Sequence, residues 1–253
     1  DRMAKSDTAV ADYYTTFNSW NVGKAQGQHL VDMAEANGCA ENSCDLAIFS
    51  GRTADWPNAT YFFGGAMEVI IPELDMFNII NVNTAPFEDL AAYVETNGVI
   101  TEANFDDDAK DALQDAMAAV DTDWDAAQAG TLAAGLVATL DTAELSDDVY
   151  VLAPNDDTSA AIRLEFAELG DAAYDNYYTT GQDASNVALA SLMGDPVNGQ
   201  GTQTMTVFKD TSKLVADSVQ IAKNIIDGVA WDTGVEEGPS IDGADTAYSP
   251  IDT

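Results

Sequence analysis

Basic residues are scarce in this chain, with 9 Lys and Arg against 44 Asp and Glu over 253 residues, a formal net charge of −35. Such a surface repels phosphate backbones and anionic lipid, which argues against nucleic acid as a partner. The excess has a plainer meaning too: a solvated surface that keeps a protein in solution and suits a saline or acidic habitat. Long apolar runs are missing. No stretch approaches the roughly 20 residues that a spanning helix needs, so no direct membrane span is expected. The single histidine, His29, falls inside a helical stretch and is expected on its surface. Neither a Ser-His-Asp arrangement nor a metal–histidine site can then be assembled, and no metal and no cofactor is expected. Glycine-rich phosphate loops are also lacking, because Gly64-Gly65 lies within a helical stretch and Gly194 to Gly201 has the wrong spacing.

Cysteine is nearly absent. Cys39 and Cys44 sit in Asn37-Gly38-Cys39-Ala40-Glu41-Asn42-Ser43-Cys44, a loop short enough to bring their Cα atoms within bridging distance. The expectation is a local disulfide and an oxidising compartment, with two free thiols as the alternative; a lone pair supplies too few ligands for zinc. The opening Asp1-Arg2-Met3 carries no signal peptide or lipid-attachment cysteine and reads as the middle of a domain, with further chain expected upstream.

What is present is a core: 46% hydrophobic residues over a length that allows one large or two small domains. Short β-branched or apolar runs at Tyr13 to Phe17, Asp45 to Phe49, Asn78 to Val82, Val149 to Ala153, Tyr174 to Thr179 and Gln203 to Phe208 predict strands. Between them, helical spacing predicts helices over Val22 to Ala36, Asn58 to Ile71, Trp124 to Leu140, Thr158 to Leu169 and Ser185 to Met193. The alternation predicts an α/β fold, a mostly parallel sheet with helices on both faces. Acid-rich Pro86 to Asp123, with a short helix over Ala109 to Val120, reads as an elaboration. Asp121-Thr122-Asp123-Trp124-Asp125 opens like a calcium loop but lacks the glycine at position six and the closing Glu. A further amphipathic helix is expected over Thr211 to Ile226, and the tail beyond Trp231 reads as irregular.

Ligands of open α/β sheets collect at the carboxyl ends of the strands. In those places stand Asn18, Arg52 to Asn58, Asn155 and Asp156, Gln182 and Asp183, and Lys209. Any one of the Asn or Asp could be no more than a helix N-cap. Together they offer carboxylate acceptors, two-way amides and cationic donors, a mixture suited to sugar hydroxyls. Phe17, Trp56 and Trp124 stand beside them, and a pyranose packs its C–H face on such rings.

These residues carry a resemblance. Asp1-Arg2-Met3, Phe17-Asn18-Ser19-Trp20-Asn21-Val22-Gly23, Asn58-Ala59-Thr60, Trp124-Asp125-Ala126-Ala127-Gln128-Ala129, Pro154-Asn155-Asp156, Gly181-Gln182-Asp183-Ala184 and Thr206-Val207-Phe208-Lys209-Asp210 occur in an order that resembles the xylose-binding and multiple-sugar-binding periplasmic proteins. The resemblance implies a type I periplasmic-binding-protein fold of two α/β lobes that close on a monosaccharide and feed an ABC transporter permease, in a periplasm or as a cell-surface lipoprotein. It also implies a chain holding one near-complete lobe plus remnants of the other: residues 1–17 ending the first lobe, 18–208 forming the second, and 209–253 supplying a helix that returns to the first and a tail. Carried across residue by residue, it implies sugar-binding roles for Asp1, Arg2, Asn58, Trp124, Asn155, Asp183 and Lys209. Phe17-Asn18-Ser19 departs from the family's Phe-Asp-Asn, and Arg52-Thr53-Ala54-Asp55-Trp56-Pro57 replaces a shorter turn, so Phe17, Asp55 and Trp56 are further candidates.

A glycoside hydrolase would need two carboxylates flanking a bond, and no pair is marked out. A sugar-responsive transcription regulator would need a basic DNA-binding module, which the charge opposes. A chemoreceptor or sensor-kinase partner would use the same sugar site as transport.

Overall fold

The computed structural model describes residues 11–81, 85–170, 174–194, 203–241 and 243–250. The alternation found in the sequence becomes two sheets. The larger contains β2 (Cys44–Ile48), β3 (Phe77–Ile79), β4 (Asp148–Leu152) and β5 (Asn176–Thr179), all parallel, in the order β3-β2-β4-β5. Every residue of β2 is buried, as expected of a strand covered on both faces. Successive side chains point to opposite faces, so Leu46, Ile48, Tyr150 and Leu152 enter one core while Ala47, Phe49, Val149 and Val151 enter another. The first core is covered by α1 (Ser19–Asn37), α2 (Asn58–Ile70), α3 (Ala85–Asn97) and α4 (Asp107–Ala118); the second by α5 (Ala126–Val137) and α6 (Asp156–Ala167). A short α7 (Asn186–Leu192) follows β5.

Helix α1 begins three residues before the predicted Val22, because Asn18 caps it by accepting from the Asn21 backbone N–H, and it ends at Gly38 in the left-handed conformation (φ 78°). Glycine also sets how closely α1 lies on α2. A Cβ at Gly23 would overlap the Phe62 carbonyl oxygen, and one at Gly65 would overlap the Trp20 carbonyl oxygen. Cys39 and Cys44 form the expected disulfide, with Cα atoms 5.8 Å apart, between the end of α1 and the start of β2.

The smaller sheet has the order β1-β7-β6, from β1 (Tyr13–Phe17), β6 (Glu236–Ile241) and β7 (Ala244–Ser249), with β1 and β7 parallel and β6 and β7 antiparallel. Helix α8 (Thr211–Asp227) meets it through Ser218, which bonds Thr15, and Asp217, which accepts from Ser249. The tail beyond Trp231 is therefore not irregular. Its Gly, Pro, Asp and Ser give little local strand signal, and pairing with β1 across more than two hundred residues overrides that composition.

Three other expectations need correction. Gln203 to Phe208 is not a strand; it is held by isolated bridges from Gln203 to Thr179 and from Val207 to Gln182. The third strand spans Phe77–Ile79, short of the predicted Val82, and residues 82–84 lie outside the described residues. His29 is half-buried, its Nε2 2.9 Å from the Thr204 hydroxyl, and burial pushes its pKa down. Among the described residues no helix is long and apolar enough to cross a membrane.

The α1–α2 contact makes a test. Gly23→Ala must force two backbones apart, so it should lower the unfolding free energy by about 1 to 3 kcal/mol or more in urea titrations, whereas Gly130→Ala, which meets only ordinary contacts in α5, should not destabilise.

Candidate functional site

The sheet order opens a crevice beside the candidate residues. β2 connects outward to β3, and the chain then returns to lay β4 on the other side of β2. The segments leaving β2 and β4 diverge, one running to α2 on the first core and the other to α6 on the second. A crevice opens at the carboxyl ends of two such strands. Residues 49–58 form one lip of it and residues 153–156 the other.

On the first lip Asp55, Trp56 and Asn58 are half-buried. Asp55 accepts from Trp124 Nε1 at 2.9 Å and from Asn58 Nδ2 at 3.3 Å, and Asn58 Oδ1 accepts from the Ser19 hydroxyl at 2.7 Å. Trp124 is not the first residue of a helix as predicted. It lies in the left-handed region (φ 58°), with α5 starting at Ala126 under the Asp125 cap. Its indole rests on Gly51, where a Cβ would overlap the ring, and near Phe62. Trp56 instead joins Tyr61 and Phe105, stacking on Phe105 at 5.7 Å with the Lys110 ammonium over its ring. The calcium-like spacing is used for folding: Asp121 accepts from the Thr53 and Asp123 backbone N–H groups, and Asp125 caps α5.

Asn155, on the second lip, caps α6 by accepting from Thr158 N–H at 2.9 Å, within a reciprocal capping box. The next residue, Asp156, is 1% exposed. Its Oδ1 accepts from Gln203 Nε2 at 2.7 Å and Thr206 Oγ1 at 2.8 Å, and its Oδ2 accepts from Ser185 N–H at 2.7 Å. Gly181 has no Cβ, and one there would overlap Asp156 Oδ1 and Gln203 Nε2. Sequence reasoning placed Asp156 at this edge but had no signal for its burial; Ser19, Gln203 and Thr206 were missed, since a lone hydroxyl or amide carries no periodic mark.

Asp183 is exposed, with φ 95°, and Lys209 Nζ lies 2.8 Å from its Oδ1. The same ammonium stands 5.9 Å from the ring centroid of Phe17, the buried last residue of β1. Phe17 and Ser19 thus join the two halves of the constellation, one against Lys209 and the other against Asn58. Asp1 and Arg2 lie outside the described residues. A separate cleft of about 440 Å³ opens beside Trp20, Lys24, Glu68, Glu102 and Pro239, and another of about 410 Å³ beside Arg52, Asp121 and Asp123; neither is lined by Asn58, Asp183 or Lys209.

Burial pushes the Asp156 carboxyl above the ordinary 3.8, while the donors from Ser185, Gln203 and Thr206 pull it back and the nearby Asp183 charge raises it further. A folded-state value above the unfolded one means the folded chain holds this proton more tightly, so the contribution of Asp156 grows on acidification and shrinks as pH rises through its folded value. The stability of the wild type minus that of Asp156→Asn should therefore increase between neutral pH and about pH 4, as read from paired urea titrations.

No protein-family model matches the chain. It is 27% identical over 231 residues to the multiple sugar-binding periplasmic protein SbpA of Azospirillum brasilense, covering 90% of this chain and 54% of that protein. It is 26% identical over 252 residues to the multiple sugar-binding periplasmic receptor ChvE of Rhizobium radiobacter, covering 95% of this chain and 60% of that receptor. The chain thus spans a little over half the length of these relatives. Among solved structures, a carbohydrate transporter solute-binding protein from Chloroflexus aurantiacus in complex with D-glucose aligns over 98% of this chain and 64% of its own, with TM-score 0.74 and 29% identity. An ABC transporter solute-binding protein from Clostridium phytofermentans with bound β-D-glucose aligns over 97% and 62%, with TM-score 0.62 and 24% identity, a likeness of fold. The chain is a homologue of the periplasmic sugar-binding proteins and has the type I periplasmic-binding-protein fold.

Proposed function

We propose that this chain is the sugar-gripping part of an extracytoplasmic solute-binding protein, which captures a monosaccharide between two lobes and hands it to the membrane permease of an ABC transporter. In this reading residues 18–208 form one lobe, and residues 1–17 with 209–253 belong to the other. The observation that supports it is that Asp55, Asn58 and Trp124 form one hydrogen-bonded group against Ser19, while Asp183 and Lys209 form an ion pair against Phe17, two residues away along the same crossing of the chain. A hydroxyl both gives and accepts a hydrogen bond, and this set supplies both halves: carboxylates accept, the ammonium donates, and amides do either. The half-buried Trp124 indole offers an apolar face for ring C–H groups. Asp1 and Arg2 are assigned to the opposing lobe, where closure would bring them onto the same sugar.

The function is binding and not catalysis, in keeping with SbpA, ChvE and the Chloroflexus aurantiacus protein, each named for sugar or solute binding. Two similar structures hold glucose, so D-glucose is the first sugar to try, with D-galactose and D-xylose next. Because the chain spans a little over half of its curated relatives, its own affinity is expected to be weak.

Calorimetric titration tests this directly. One of the three sugars should give saturable heat, and Asp183→Ala should weaken it by about 30-fold or more, corresponding to roughly 2 kcal/mol for hydrogen bonds to a charged group. An unchanged affinity would remove Asp183 from the site. Absence of saturable heat with all three, at concentrations that would reveal millimolar binding, would remove the reading that this chain grips one of these monosaccharides.

A further inference from the structure

We infer that Asp156 is the positioning residue of this site: a buried carboxylate that touches no sugar and fixes Asp183 and Lys209 in place. The role rests on the sugar-binding reading for its effect on affinity, but its structural basis stands without it.

The backbone at Asp183 and Ala184 is unusual. Both have positive φ, 95° and 49°, a conformation that costs free energy for residues other than glycine and persists only where surrounding contacts over-determine it. Those contacts are visible. The Asp183 N–H donates to the Val207 carbonyl at 2.9 Å, the Ala184 N–H to the Thr206 hydroxyl at 3.3 Å, and the Ser185 N–H to Asp156 Oδ2 at 2.7 Å. Asp156 Oδ1 takes the Thr206 hydroxyl and the Gln203 amide. One carboxylate therefore joins the segment carrying Asp183 to the segment leading to Lys209.

The attachment continues outward. The Gln203 backbone N–H donates to Ser191 Oγ, which also accepts from Arg163 Nη1, and Arg163 is itself buried within α6, the helix that Asp156 opens. Gln26 of α1 donates to the Gly181 carbonyl at 3.0 Å. An acceptor-only group suits the node because three donors converge on it. An amide at the same position must turn N–H groups toward at least one of those donors, leaving a buried donor unpaired.

The experiment compares Asp156→Asn with the wild type. Without any ligand, amide hydrogen exchange at residues 183–185 should accelerate by about tenfold or more, while the amides of β4 keep their protection. With whichever sugar binds, affinity should fall by about tenfold or more in the wild-type background and by less than about twofold when Asp183 is already Ala, because a residue that acts through Asp183 has nothing left to position. Thr206→Val, which keeps the carboxylate but removes one of its donors together with the acceptor of the Ala184 N–H, should lower affinity by less and speed exchange at Ser185, whose N–H bonds Asp156 directly, and it serves if Asp156→Asn does not fold. Unchanged exchange at 183–185 in both variants overturns the proposal. So do affinity losses that add fully to that of Asp183→Ala, which would make Asp156 a direct or merely global contributor. Accelerated exchange in a protein that binds none of the sugars would sink the sugar reading and leave the positioning role standing.

Discussion

The reversal of strand order between β2 and β4 is the constraint on which the rest of this structure depends. Two adjacent parallel strands whose chains leave toward opposite faces cannot have their carboxyl ends covered by the same loop, so a crevice is built in by topology before any side chain is chosen. Side-chain periodicity then separates the cores. Leu46 and Ile48 commit α2 to one face, and Val149 and Val151 commit α6 to the other. A one-residue slip of β2 against β4 would turn both sets the wrong way and close the crevice. The glycines of α1 and α2 serve the same end, since close helix approach seats Ser19 against Asn58 at its edge.

The charge imbalance gives the few cations particular weight. With 9 Lys and Arg in the whole chain, most carboxylates face water, where salt screens them over about 10 Å. Two cations are withdrawn from that role. Arg163 is 2% exposed inside α6, and Lys209 is largely covered beside Asp183 and Phe17. Holding a cation out of water where so many carboxylates could solvate it at the surface is unfavourable unless its partners are fixed, and here they are held by backbone hydrogen bonds together with the buried Asp156 carboxylate.

Much of this was legible in the residues. Strand–helix alternation identified both faces of the larger sheet because buried parallel strands are continuous apolar runs, and Gly38 and Gly228 both close helices in the left-handed conformation. The tail was not legible. β7 alternates small and polar residues, and what makes it a strand is β1, its partner at the far end of the sequence. Gln203 to Phe208 erred the other way, having strand composition but side chains and backbone committed to Asp156, Ser191 and Asp183. At the candidate site, the edge residues were proposed from their position after the strands and from the family resemblance. Asn155 does cap α6, the reading its place before a helix had offered, whereas Trp56 joining an aromatic cluster and Asp156 being buried are three-dimensional outcomes that spacing does not encode.

In the proposed site, Lys209 would link a bound ligand to both passages of the chain between the sheets. The chain passes between the two sheets at Phe17–Ser19 and again between Val207 and Thr211. Lys209 lies in the second passage, with its ammonium over the ring that ends the first and bonded to the carboxylate of Asp183. A hydroxyl bound at Asp183 must share that carboxylate with the ammonium, so any ligand there acts on both passages at once. Two strands of covalent chain flanking a shared ion pair have few ways to move other than together, and a ligand that prefers one arrangement of the pair biases the relation between the sheets by no more than its difference in affinity for the two arrangements. In the proposed site, coupling between binding and shape would run through this one ion pair and the buried carboxylate behind it.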